Sequence, residues 1–223
     1  LPQLVSALTA GSITFNSGAA AFTIGGASQT LTINAAGMAN NSVADQTVNI
    51  PVKLGAAQTW NASAGQLIIG GDLDKNAKAF TTDGNFNTTL SGAISSTGTF
   101  TKNGSGTLTL SGTSANTYSG ATTVNAGTLV LGKTAGLNAL AGTLTIGDGT
   151  GGANSDIVRL NADNQIIDTK AVTIASSGLL DLNGHSETIG SGTTTTINAG
   201  AITTGGGSLT LGSTLTFDGG GSI

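Results

Sequence analysis

The stretch Gly98-Thr-Phe-Thr-Lys-Asn-Gly-Ser-Gly-Thr-Leu-Thr-Leu-Ser-Gly112, followed three residues later by Asn116-Thr-Tyr-Ser-Gly-Ala-Thr-Thr-Val-Asn-Ala-Gly-Thr-Leu-Val-Leu-Gly132, decides how the rest of the chain is read. It breaks into three or four very short apolar-alternating segments separated by glycine and asparagine. In Thr107–Leu110 and Thr128–Leu131 the large aliphatics alternate, which puts Leu108, Leu110, Leu129 and Leu131 on one side of a pleated strand. Each such strand has a dry face and a wet face, and none is long enough to bury its dry face alone.

The signature recurs. Gly142-Thr-Leu-Thr-Ile-Gly147, Gly178-Leu-Leu-Asp-Leu-Asn-Gly184 and Gly207-Ser-Leu-Thr-Leu-Gly212 are further copies, with looser ones at Ser12–Asn16 and Gln29–Asn34. A short strand-plus-turn unit repeated along a chain is the mark of a solenoid. The spacing of the copies is irregular, so the turns are expected to vary while the strands do not.

The run Phe100–Gly112 with Asn116–Gly132 resembles the autotransporter-associated β-strand repeat of bacterial passenger regions and giant surface proteins. Ala57-Gln-Thr-Trp-Asn61 upstream and Leu180–Gly190 downstream are similar to its flanks. The resemblance implies an all-β fold, a right-handed parallel β-helix with roughly three short strands per rung, exported to the bacterial cell surface or beyond it. It implies no catalytic residues and no cofactor. Residues 1–223 then read as a single continuous solenoid; about nine or ten rungs at ~4.8 Å each make a rod roughly 45 Å long.

Composition narrows the alternatives. Glycine is 36 of 223 residues, but no Gly-X-Y period accompanies it and prolines number 2, which excludes collagen. Charged residues are only 8%, so Thr, Ser and Asn must supply solubility. A formal charge of −4 with seven scattered basic residues offers no patch for nucleic acid. The absence of cysteine agrees with export of an unfolded chain. The chain opens on Leu1 with no leader pattern, as expected of a processed or excised piece. No apolar run reaches the length of a spanning helix, and strands of four or five residues are too short for a membrane barrel, so this segment is not expected to insert in a membrane.

In chain order, Leu4, Val5 and Leu8 are expected to pack on a first rung formed by Ile13–Phe15, Phe22–Ile24 and Leu31–Ile33. Residues 35–44 read as a turn excursion. Pro51 lacks a ladder donor and belongs at a corner or bulge rather than mid-strand. Trp60 reads as a solenoid residue, with a sugar-stacking platform as its functional alternative. Residues 70–87 gather charge and are expected as a loop insertion, in which Asp72, Asp74 and Asp83, with Asn76 near, form a candidate calcium site; the glycine and distal Glu of an EF-hand are missing. Asp148–Asn154 is a glycine-rich loop, and the run Gly147–Gly152 is a turn rather than a phosphate cradle, since no Gly-Lys-Ser/Thr follows and no helix opens after it. Asp156–Leu160 and Gln165–Ile167 resume the ladder, and seven short strands are expected between Val172 and Phe217. Asn103, Asn125, Asn183 and Asn198 stand beside turns and are placed to stack between rungs.

The functional expectation is a structural one: a stalk or adhesin segment of an exported surface protein that supports its own secretion. Its partners would be neighbouring solenoid segments stacked end to end, or host-surface and matrix glycans. One alternative is a self-assembling extracellular filament subunit, because neither end shows a cap. Another is a polysaccharide-acting β-helix enzyme, for which only Asp156, Asp163 and Asp168, with Arg159 and Lys170, approach a reactive set; the sole histidine, His185, reads as a turn residue. Ice or lattice binding through a threonine array is disfavoured, because outward Thr is ordinary on a solvated strand and the Thr-Leu-Thr triplets are unevenly spaced.

Overall fold

A computed structural model describes residues 8–26, 29–220 and 222–223. The chain winds as a parallel β-solenoid of about ten turns, with no helix among the described residues. Every strand pair is parallel, as the strand-plus-turn repeat predicts.

The rungs have three sides. One carries Phe22–Ile24, Gln46–Val48, Leu67–Ile69, Thr88–Leu90, Thr107–Gly112, Gly127–Lys133, Asp156–Leu160, Gly178–Asp181 and Ala201–Thr203, a continuous nine-stranded sheet. The second carries Gln58–Ala62, Phe80–Asp83, Phe100–Lys102, Thr122–Val124, Leu144–Ile146, Val172–Ile174, Thr195–Asn198 and Leu215–Asp218. The third begins with Val52–Leu54, Leu73–Asp74 and Ile94–Ser95, turns irregular, and ends in the pair Glu187–Ile189 and Leu209–Leu211. Strand Leu31–Asn40 bends round a corner and joins the second and third sides into one 13-stranded sheet.

Alternation places the core. On the nine-stranded side Leu67, Thr88, Leu108, Leu129, Val158, Leu180 and Ile202 stack inward, one per rung. Leu108, Leu110, Leu129 and Leu131 are all buried, as their alternation requires. On the second side the inward files carry larger rings, so aromatic stacks on aromatic: Trp60 lies 4.7 Å from Phe80, Phe80 5.1 Å from Phe100, and Phe100 5.9 Å from Tyr118, centroid to centroid. These are the separations at which ring pairs add ~0.5–1.5 kcal/mol beyond their buried area. Trp60 is fully buried and its Nε1–H donates to Gln58 Oε1 at 3.0 Å, so it is no sugar platform.

The outward residues of the second side fall into one file. Thr59, Thr81, Thr101, Thr123, Thr145, Thr173, Thr196 and Thr216 pair in direct register, rung on rung, without a break. In sequence these threonines are 20 to 28 residues apart. The uneven spacing that counted against a threonine array is thus absorbed by the turns.

Corners are made by residues that tolerate close approach. Gly84 and Gly98 have φ of 107° and 91°, and a Cβ at either would collide with the carbonyl of the rung beneath, Ala62 or Lys78. Pro51 sits between strands, at a corner as expected. Asn125 Nδ2 donates to Asn103 Oδ1 at 2.9 Å, one step of an asparagine ladder. Asn183 takes φ of 51° and donates to Leu160 O at 3.2 Å. Asn198 makes no side-chain hydrogen bond among the described residues.

Several expectations are corrected. Residues 70–87 are not an insertion: Leu73–Asp74 and Phe80–Asp83 are rung strands, and the interval from Leu67 to Thr88 is the same 21 residues as from Gln46 to Leu67. The longest rung is lengthened instead at residues 147–155, where Leu129 and its partner Val158 stand 29 apart. Residues 35–40 are strand rather than a turn excursion, with Met38 buried; their run of alanine and glycine offers no alternation to read. Of Gln165–Ile167 only Ile166 bridges, to Leu140. Leu4 and Val5 lie outside the described residues, and Leu8 is 42% exposed rather than packed inward. Val172 to Phe217 does contain seven strands.

Candidate functional site

The strand pattern distributes the ionisable residues instead of gathering them. Asp72 Oδ1 accepts the Ala93 amide at 2.7 Å. Asp74 Oδ1 accepts the Asn76 amide at 2.8 Å, and its other oxygen is 3.8 Å from Lys53 Nζ. Asp83 stands on a different side of the rung and accepts the Gly84 amide at 2.7 Å. The three calcium candidates are therefore separate carboxylates, each bound to its own backbone amide: Asp74 and Asp83 locally, Asp72 across to the next rung. Among the described residues no group of three or more His, Cys, Asp or Glu side chains is arranged to hold a metal ion.

The residues weighed for catalysis are likewise apart. Asp156 is buried at the start of its strand, with one oxygen 3.2 Å from Ser155 Oγ and the other unpartnered. Arg159 spends its guanidinium on Asp181 at 2.7 Å, an outward cross-rung pair. Asp168 is exposed in a loop beside Lys170. Asp163 accepts both the Ser186 amide and His185 Nδ1 at 3.0 Å, and these two hydrogen bonds hold its carboxyl below the usual range. The turn role of His185 stands, and its carboxylate partner comes from one rung away. Asp163 and His185 lie outside the nearby open groove of about 620 Å³, which is lined by Gly136, Asn138, Asn164, Asp168 and Thr188 among others.

Four buried charges were not singled out from sequence. Lys75, Lys102 and Lys133 turn inward and hold corner carbonyls: Lys75 Nζ donates to Gly98 O at 2.6 Å and sits 4.3 Å from the centre of the Tyr118 ring, Lys102 to Ala126 O at 3.0 Å and Gly104 O, and Lys133 to Ser111 O at 2.8 Å. Burial pushes Lys75 and Lys102 down to about 8. Glu187 accepts the amides of Gln165 at 2.7 Å and Ile166 at 3.2 Å, yet burial outweighs those bonds and pushes it up to about 7. The signal was available. Phe100, Lys102, Glu187 and Ile189 alternate as inward residues of their strands, so the pattern assigns these charges to the core. All four close gaps in the backbone hydrogen bonding of the corners, a structural use of charge.

Residues 100–131 match the family model described as Passenger-associated-transport-repeat. They cover about one and a half rungs near the middle of the stack: the strands Phe100–Lys102, Thr107–Gly112 and Thr122–Val124 and most of Gly127–Lys133. The resemblance read from Phe100–Gly132 thus holds over those residues, and the solenoid built around them fits a passenger-type structural segment, secreted or surface-exposed. No curated protein and no solved structure gives a significant match to the chain.

Proposed function

We propose that the chain is a structural shaft of an exported bacterial surface protein, an adhesin stalk whose rungs help draw the chain outward as they fold. The observation that carries this reading is the unbroken stack of in-register rungs running through the matched repeat. Each rung buries its aliphatics against the rung before it, so a chain emerging from a membrane can add rungs one at a time to a folded end. Every added rung buries several side chains at roughly 1.5–3 kcal/mol each, which biases passage in one direction.

Neighbouring solenoid segments are the expected partners at the ends, where Phe22 is 49% and Phe217 50% exposed. Glycans of a host surface or matrix are the expected partners along the sides other than the second. The test is surface display of the parent protein in intact cells, read by protease accessibility. Placing Asp at Leu110 and Leu131 should cut display severalfold while the chain accumulates inside. Undiminished display would overturn the secretion role.

A further inference from the structure

The threonine file asks for an explanation that folding does not supply. From Thr59 to Thr216 eight rungs in succession present the same outward residue, over about 34 Å at a strand spacing of ~4.8 Å. No register shift interrupts it. The column on one side of it holds Ala57, Ala79, Thr99 and Ala121, and the other holds Asn61, Asp83, Asn103 and Asn125, so the face bears few charges and no basic side chain along these rungs.

The hydroxyls of the file are unused by the protein. Among the described residues the threonines with a side-chain hydrogen bond are Thr89, Thr122, Thr150 and Thr203, all off the file. The file therefore offers eight unpartnered hydroxyls and eight methyl groups. Stacked β-branched side chains hold few χ1 states, so their spacing is fixed before any ligand arrives.

A charged polymer is a poor match for this face, because only scattered carboxylates stand near it. Sugar chains are usually gripped by exposed aromatic rings, and the rings of these rungs, Trp60, Phe80, Phe100 and Tyr118, are buried. What matches is a neutral partner that repeats hydrogen-bonding oxygens at close to the strand spacing over tens of ångströms. The oxygen lattice of ice does so.

We propose that this side of the solenoid binds ice through the threonine file, ordering water on it into a lattice-matched layer. The inference is independent of the secretion role and can fail without it. The experiment compares the 223-residue chain with two double variants: Thr101→Lys with Thr123→Lys on the file, and Thr109→Lys with Val130→Lys on the nine-stranded side. Thermal hysteresis and inhibition of ice recrystallisation are measured, together with uptake of the fluorescently labelled chain into a growing ice hemisphere. The unmodified chain should shape ice crystals and enter the hemisphere; the first variant should lose both effects and the second keep them, at unchanged melting temperature. Exclusion of the unmodified chain from ice overturns the proposal, whether or not either variant folds. So does equal loss in both folded variants, or binding to crystalline cellulose with no effect on ice.

Discussion

The second side and the nine-stranded side of the solenoid obey the same rule inward and different rules outward. Inward, both stack large apolar residues rung on rung. Outward, the second side repeats threonine eight times, whereas the other runs Thr47, Ile68, Thr89, Thr109, Val130, Arg159, Asp181 and Thr203 in the same kind of register. Both sides hold their ladders. A parallel stack therefore needs no more outside than a residue content with a pleated, half-wet surface, and the uniformity of the second side is surplus to the needs of the fold.

The inward half of that comparison breaks most expensively. Leu110→Ala on the nine-stranded side and Phe100→Ala on the second side should each cost about 2–5 kcal/mol in denaturant unfolding, since both leave cavities in a core one side chain deep. A tenfold smaller effect on one side than the other would show that the two do not share a core.

Next in size are the corners, which the two sides share. Gly98→Ala should cost more than ~1 kcal/mol, because its φ of 91° suits glycine and the new methyl meets the Lys78 carbonyl. Chemical denaturation of that single variant checks it.

The buried charges give a dependence on pH. A lysine whose folded pKa is lowered to about 8 costs stability in full below that pH and nothing above its ordinary value, so stability rises as pH climbs from 8 toward 10. Glu187, raised to about 7, costs stability in full above that pH and progressively less as pH falls toward its ordinary range. The melting temperature should pass through a minimum between about pH 7 and 8 and rise by a few degrees on either side. Calorimetry from pH 5.5 to 9.5 measures it. In Lys102→Met the alkaline rise should shrink; a monotonic curve in the unmodified chain would contradict these assignments.

Smallest of all is the outward half. Thr101→Lys and Thr109→Lys should each change stability by less than ~0.5 kcal/mol, being half-buried outward positions away from caps and the core. Arg159→Ala should cost at most ~1 kcal/mol, since its pair with Asp181 is solvated. Thermal melts of these variants sharpen the comparison: if Thr101→Lys alone is costly, the threonine file supports the fold after all.

What could be read from sequence follows from which forces are local. Alternation in Thr107–Leu110 and Thr128–Leu131 is a property of four residues, and it placed their leucines correctly. Pro51, Asn103 and Asn125 act through their own backbone or their nearest rung, and they too were legible. The threonine file was not, because its register is the sum of every turn between Thr59 and Thr216. Thr145 and Thr173 are 28 residues apart and still touch in register because residues 147–155 loop out and return. Charge misled at residues 70–87, where Asp72, Asp74 and Asp83 each accept a backbone amide of ordinary rungs. Lys102 and Glu187 were overlooked for the opposite reason: their place in the alternation was plain, but a charge is not expected inside without a partner, and the partners are main-chain atoms a rung away.

The inward lysines have a consequence for digestion. Trypsin must draw several residues of extended backbone into its cleft around a basic side chain. In this chain Lys75, Lys102 and Lys133 are enclosed, with their neighbours hydrogen-bonded to the rungs above and below. Of seven basic residues these three are closed to the enzyme while the rungs stand. Each becomes a cleavage site only when its own turn opens, so the order in which the three peptides appear records where along the rod unravelling begins.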